Sequence, residues 1–107
     1  MSLVTTHVLD NATGRPAAGI PVRLDARDDD WSPLAYAETD DDGRIRELGP
    51  DSLPAGVYRL VFDTASYLGP DAFYPEITVT FRITDPAAHH HVPVLLSPFA
   101  YSTYRGS

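Results

Sequence analysis

The chain is 107 residues long, enough for one hydrophobic core and too short for two domains of ordinary size, so residues 1–107 are expected to form a single domain. A formal charge of −7 argues against nucleic acid and anionic membrane as partners, because both demand a basic face. Without cysteine there is neither a disulfide framework nor a thiolate metal site; with no basic, apolar leader and no apolar run near the roughly 18 residues of a membrane span, the expected compartment is the cytoplasm.

Ten prolines, seven glycines and repeated Asp clusters leave no amphipathic stretch long enough for a major helix, which points to an all-β class. The first strand spans Val4–Leu9, where alternation puts Val4, Thr6 and Val8 on one face and Thr5, His7 and Leu9 on the other. A turn-rich stretch, Asp10–Gly14, is followed by strands at Ile20–Leu24 and Leu34–Glu38. The Asp40–Gly43 turn then leads to a short strand at Arg46–Leu48, and Val57–Phe62 comes next. Ala65–Leu68 is read as about one helical turn capped by Thr64. Ile77–Ile83, His91–Leu96 and Ala100–Tyr104 complete about eight strands at the spacing of a two-sheet sandwich with one short helix.

His7 lies on the less apolar face of its strand, where an imidazole reaches solvent or a cleft; by spacing alone a surface histidine is the simpler reading. Arg44 follows the acidic turn and, read by itself, is a solvated charge balancing it. Alternation sets His89 and His91 on one face and His90 on the other. His-X-His is a spacing that metals use, and with His7 it would make a three-histidine zinc site able to activate water, although no acidic residue adjoins it as an outer partner. Glu38–Gly43 has the look of a calcium loop but carries Gly49 where a bidentate glutamate is needed, and no helices flank it. No Gly-X-Ser-X-Gly elbow or other activated serine is visible.

The chain opens with Thr6-His7-Val8-Leu9-Asp10 and ends His91-Val-Pro-Val-Leu-Leu-Ser-Pro-Phe-Ala-Tyr-Ser-Thr-Tyr104-Arg105-Gly106-Ser107. Both segments closely resemble the 5-hydroxyisourate hydrolases of the transthyretin family, and Val57–Thr64 and Phe73–Val79 look like family signatures as well. The resemblance runs from about Thr6 to Ser107 and implies a transthyretin-like sandwich whose subunits pair edge to edge and stack as a homotetramer, a dimer of dimers around a channel. It implies hydrolysis of 5-hydroxyisourate to 2-oxo-4-hydroxy-4-carboxy-5-ureidoimidazoline without a cofactor or catalytic metal. By the same resemblance His7, Arg44 and His91 are the catalytic residues, and His7, Arg44, Tyr104, Arg105 and Ser107 meet the small-molecule substrate. His89 matches the first histidine of the family's His-X-His, whereas His90 stands where relatives often have an aromatic residue. A zinc-dependent hydrolase and a transthyretin-like carrier of apolar ligands are the alternatives; carriers of this family lack the His, Arg, His and terminal Tyr-Arg-Gly-Ser set present here.

Overall fold

The computed structural model describes residues 2–107. Among these described residues nine strands run in the order β1 (Val4–Asp10), β2 (Arg15–Pro16), β3 (Pro21–Arg27), β4 (Trp31–Glu38), β5 (Arg44–Ile45), β6 (Gly56–Phe62), β7 (Ile77–Ile83), β8 (His90–Ser97) and β9 (Ala100–Thr103), with the short helix α1 (Ala65–Leu68) between β6 and β7. One sheet has the order β2-β1-β8-β9 with β5 also on β1; the other is β4-β3-β6-β7. Alternation supplies the core between them: Val4 and Val8 of β1, Val92, Val94 and Leu96 of β8, Leu24 of β3 and Leu60 and Phe62 of β6 are all buried.

Arg46–Leu48 is not a strand: the pairing segment is two residues earlier, at β5, with Thr6 opposite Ile45 and His7 opposite Arg44. Beyond it the backbone is satisfied by Ser2, whose hydroxyl accepts from Leu48 N at 2.8 Å and whose own N–H donates to the Arg46 carbonyl at 3.2 Å. Thr64 does not cap the helix through its side chain; it sits in the helical region and its hydroxyl donates instead to the Tyr74 carbonyl. Strand β4 begins at Trp31 rather than Leu34, and Pro33 is tolerated within it because β4 is an edge strand and needs no outward N–H.

What positions the chemistry is the parallel pairing of β1 with β8, which sets Thr5 beside His91 and His7 beside Pro93. Paired residues on adjacent strands point to the same side of a sheet. Since Val4, Thr6 and Val8 face the core, Thr5, His7, Arg44 and His91 project from the opposite, outward face.

Candidate active site

Arg44 is delivered by a turn built for the purpose. One oxygen of the Asp40 carboxylate accepts from the N–H groups of Asp42 and Arg44, both at 2.9 Å, and Gly43 N–H donates to the Asp40 carbonyl at 2.9 Å. The hydrogen bond from Arg44 N–H is the main reason the Asp40 carboxyl lies below the ordinary aspartate range. Gly43 has φ +75°, and a Cβ there would come within 2.3 Å of the Val8 carbonyl oxygen, so no other residue fits this close approach. The acidic run is solvated, and within it the Asp40 carboxylate also holds the turn that brings Arg44 onto β1.

His7 points its Nε2 at the Asp42 carbonyl, 2.9 Å away. A carbonyl only accepts, so Nε2 carries a proton and donates it, which leaves Nδ1 as the nitrogen without this partner. His91 and His89 share one partner: the Thr5 hydroxyl lies 2.8 Å from His91 Nδ1 and 2.9 Å from His89 Nε2. The two rings stack with centroids 6.2 Å apart. His90, on the core face, is buried and gives its Nδ1 proton to the Ala88 carbonyl at 2.7 Å.

Thr5, Arg44, His89, His91 and Ser107 line one cavity of about 180 Å³ on the outward face. Burial is the largest influence holding the His91 imidazole below its usual range, and Arg44, His89 and His7 push it the same way. A neutral imidazole beside a fixed guanidinium is an arrangement that accepts a proton from water while offering donors to a developing oxyanion. Tyr104 and Arg105 are placed differently: they line an adjoining cavity of about 250 Å³ with Phe81, Arg82 and Thr103, and His91 borders both spaces. Between Thr103 and Gly106 the tail leaves β9 and then rejoins β8 through a bridge from Gly106 to His91, whose N–H···O length is 2.8 Å. A Cβ on Gly106 would lie 2.5 Å from Cδ2 of the His91 ring, so the tail packs directly on that imidazole.

The expected set thus divides. His91, Arg44 and Ser107 share a cavity, His7 flanks it on the same face, and Tyr104 and Arg105 stand on the far side of His91. Thr5, Asp40, Gly43 and Gly106 were not anticipated as site residues; the signals were Thr5 alternating with His7 and the Asp-X-X-Gly and Arg-Gly steps beside Arg44 and the tail. The three-histidine zinc reading finds no common focus, because His89 and His91 turn nitrogens to Thr5 and His7 turns Nε2 to Asp42. Among the described residues no group of three His, Cys, Asp or Glu side chains is arranged to hold a metal ion.

Residues 4–106 match the model of the HIUase/Transthyretin family. A 5-hydroxyisourate hydrolase from Salmonella dublin is 45% identical over 99% of this chain and 82% of its own length. Among solved structures, a 5-hydroxyisourate hydrolase from Klebsiella pneumoniae superposes with a TM-score of 0.85 at 36% identity, covering 97% of this chain and 98% of that one. Sea bream transthyretin in complex with thyroxine superposes with a TM-score of 0.87 at 32% identity, covering 96% and 93%. The backbone is thus as similar to a ligand carrier as to a hydrolase, and the residues on the outward face have to decide between them.

Proposed function

Because the chain belongs to the HIUase/Transthyretin family, we propose that it is an enzyme hydrolysing 5-hydroxyisourate to 2-oxo-4-hydroxy-4-carboxy-5-ureidoimidazoline in urate degradation. The single observation that carries this reading is the cavity in which a neutral-biased His91 and Arg44 face the same space. A carrier of apolar ligands gains nothing from an imidazole and a guanidinium facing that space, whereas amide hydrolysis can use both.

In this mechanism His91 removes a proton from water as its oxygen bonds to the ring carbonyl carbon. The Arg44 guanidinium donates to the oxyanion that forms, the carbon–nitrogen bond of the six-membered ring breaks, and the imidazolium returns the proton to the departing nitrogen. Base assistance is worth about 10² to 10⁴ in rate and an oxyanion donor about 10² to 10³, enough for a reactive cyclic amide. His7, with Nδ1 free, flanks the substrate; Ser107, and Tyr104 and Arg105 on the tail, complete the pocket's wall.

The reading includes a homotetramer built as a dimer of dimers, with a channel over the outward face. Its support is that β7 and β9 are unpaired edges lying side by side along the cavity that holds Tyr104, and unprotected edges invite pairing. A run of rings, exposed Phe99, Phe73 and Tyr101 with half-buried Tyr74 among them, with successive centroids 4.9–6.0 Å apart, adds an apolar surface of the kind subunits cover. Light scattering after size separation checks this: an active monomer contradicts it. No helix among the described residues is long and apolar enough to cross a membrane, and a cytoplasmic location is proposed for a chain that needs no oxidative folding. The activity itself is tested by adding the protein to freshly generated 5-hydroxyisourate. Ultraviolet decay that accelerates in proportion to protein concentration is expected, and decay indistinguishable from the spontaneous rate refutes the proposal.

A further inference from the structure

A threonine hydroxyl has one proton, yet the Thr5 Oγ1 sits within hydrogen-bond distance of two imidazole nitrogens, 2.8 Å from His91 Nδ1 and 2.9 Å from His89 Nε2. It can donate to only one of them. For both bonds to exist the other nitrogen must bear a proton and donate to the oxygen, so the tautomers of the two rings are locked together. Either both rings are protonated on Nδ1, with the chain running His91 to Thr5 to His89, or both carry the proton on Nε2 and it runs in reverse.

The two states differ at the atom that matters. Among the described residues His91 Nε2 has no hydrogen-bond partner, so it is the ring nitrogen left for water or substrate. In the first state it bears a lone pair and can accept a proton; in the second it bears a proton and cannot. Arg44 lines the same cavity as His91, and a guanidinium favours a lone pair over an N–H on the open side of a neighbouring ring. His89 is exposed, so either of its tautomers is readily solvated and it can follow whichever state His91 takes. Thr5 itself is buried, only 4% exposed, on a strand whose backbone pairs with His91, so its hydroxyl cannot swing away to solvent.

We propose that Thr5 is a positioning residue that holds His91 as the Nδ1–H tautomer and passes that hydrogen bond on to His89, leaving His91 Nε2 free to act as the base. The role is that of the third group that orients a catalytic histidine, filled here by a hydroxyl and a second imidazole where a carboxylate often stands. When His91 takes the proton from water, the same chain solvates the imidazolium through its Nδ1–H. The inference rests on His91 as the base of the proposed reaction, but its structural half stands independently of any activity.

The test is long-range proton–nitrogen NMR of the imidazoles in the intact protein, joined to steady-state kinetics of Thr5→Val and Thr5→Ser. The wild-type His91 should show the Nδ1–H pattern. Thr5→Val, which keeps the shape and removes the hydroxyl, should lose that pattern and lower kcat about tenfold or more with KM little changed, as expected when a base is held in the wrong tautomer. Thr5→Ser should restore both, and His89→Ala, at an exposed position that carries no core packing, should lower kcat in the same direction. An Nε2–H pattern for His91 in the wild type overturns the proposal, as does Thr5→Val with unchanged kcat where His91→Ala is inactive. If instead the Nδ1–H pattern is present and follows Thr5 while His91→Ala stays fully active, the tautomer control is upheld and the assignment of His91 as base fails.

Discussion

The outward faces of both sheets carry charge, but the buried carboxylate of one face has its arginines paired while Arg44 on the other does not. On the four-stranded sheet Asp25 is 1% exposed and accepts from Arg23 Nε at 2.8 Å and Arg59 Nε at 2.7 Å, and the Arg59 guanidinium lies 4.2 Å from the Trp31 ring centroid. Arg23, Asp25 and Arg59 thus form one paired cluster at the centre of that face. On the five-stranded sheet Arg44 has no carboxylate within salt-bridge distance among the described residues, and it lines its cavity together with Thr5, Arg46, His89, His91 and Ser107. A paired charge holds the fold together, whereas an unpaired cation beside a neutral imidazole is available to a substrate.

The contrast predicts opposite consequences for two charge-removing substitutions. Arg44→Gln should lower kcat/KM about 10² to 10³ while the melting temperature stays within about 2 °C, because an oxyanion donor is lost and no ion pair is broken. Arg44→Lys should recover little of this, since an ammonium cannot supply a planar two-donor contact; a lysine variant within twofold of wild type would reduce Arg44 to a source of positive potential. Asp25→Asn should do the reverse. Breaking a buried pair costs about 3–5 kcal/mol when the orphaned partner stays buried, but Arg23 and Arg59 retain 36% and 25% side-chain exposure and can resolvate, so about 1–3 kcal/mol is expected. Thermal denaturation should show it, at roughly 4–8 °C per kcal/mol, with kcat/KM at 25 °C unchanged.

A smaller effect sharpens the same comparison through pH. Burial first, then Arg44, depresses the His91 pKa, so the neutral base survives to lower pH than an ordinary histidine and kcat/KM should fall only as pH drops below that lowered value. Removing the Arg44 charge relieves part of the depression, and the acid limb of the Arg44→Gln profile should move to higher pH. A limb that stays put would mean the guanidinium and the titrating base do not face each other. The smallest change is expected at Tyr104→Phe, on the far side of His91. If the phenol meets substrate across the adjoining cavity, binding of a substrate analogue should weaken by about 0.5–1.5 kcal/mol, the net worth of one neutral hydrogen bond.

Period-two alternation made much of this legible. Ile77–Ile83 coincides with β7, and the opposition of Val4, Thr6 and Val8 to Thr5, His7 and Leu9 is the opposition of core to outward face. The same alternation separates His90 from His89 and His91. Two-residue strands escaped it because they carry no period, so β2 was missed and the β5 segment was sought at Arg46–Leu48 instead of Arg44–Ile45. The Asp40 carboxylate, which shortens the turn and pulls Arg44 onto β1, exerts its effect through backbone N–H groups that no hydropathy pattern reveals. Thr5 was assigned to the right face, but its bond to two histidines depends on the parallel register of β1 with β8, a contact between residues 86 apart in the chain. Tertiary register of that kind is not written in any local segment.

In the proposed mechanism His91 is the base, and it stands on an outward face whose alteration leaves the core alone. The most direct measurement is kcat/KM toward freshly generated 5-hydroxyisourate, taken together with the melting temperature, for His91→Ala beside the wild-type protein. Loss of at least about tenfold in kcat/KM, more than about 1.4 kcal/mol of transition-state stabilisation, in a protein that melts as the wild type does is the predicted result. Wild-type turnover by a folded His91→Ala protein would contradict it.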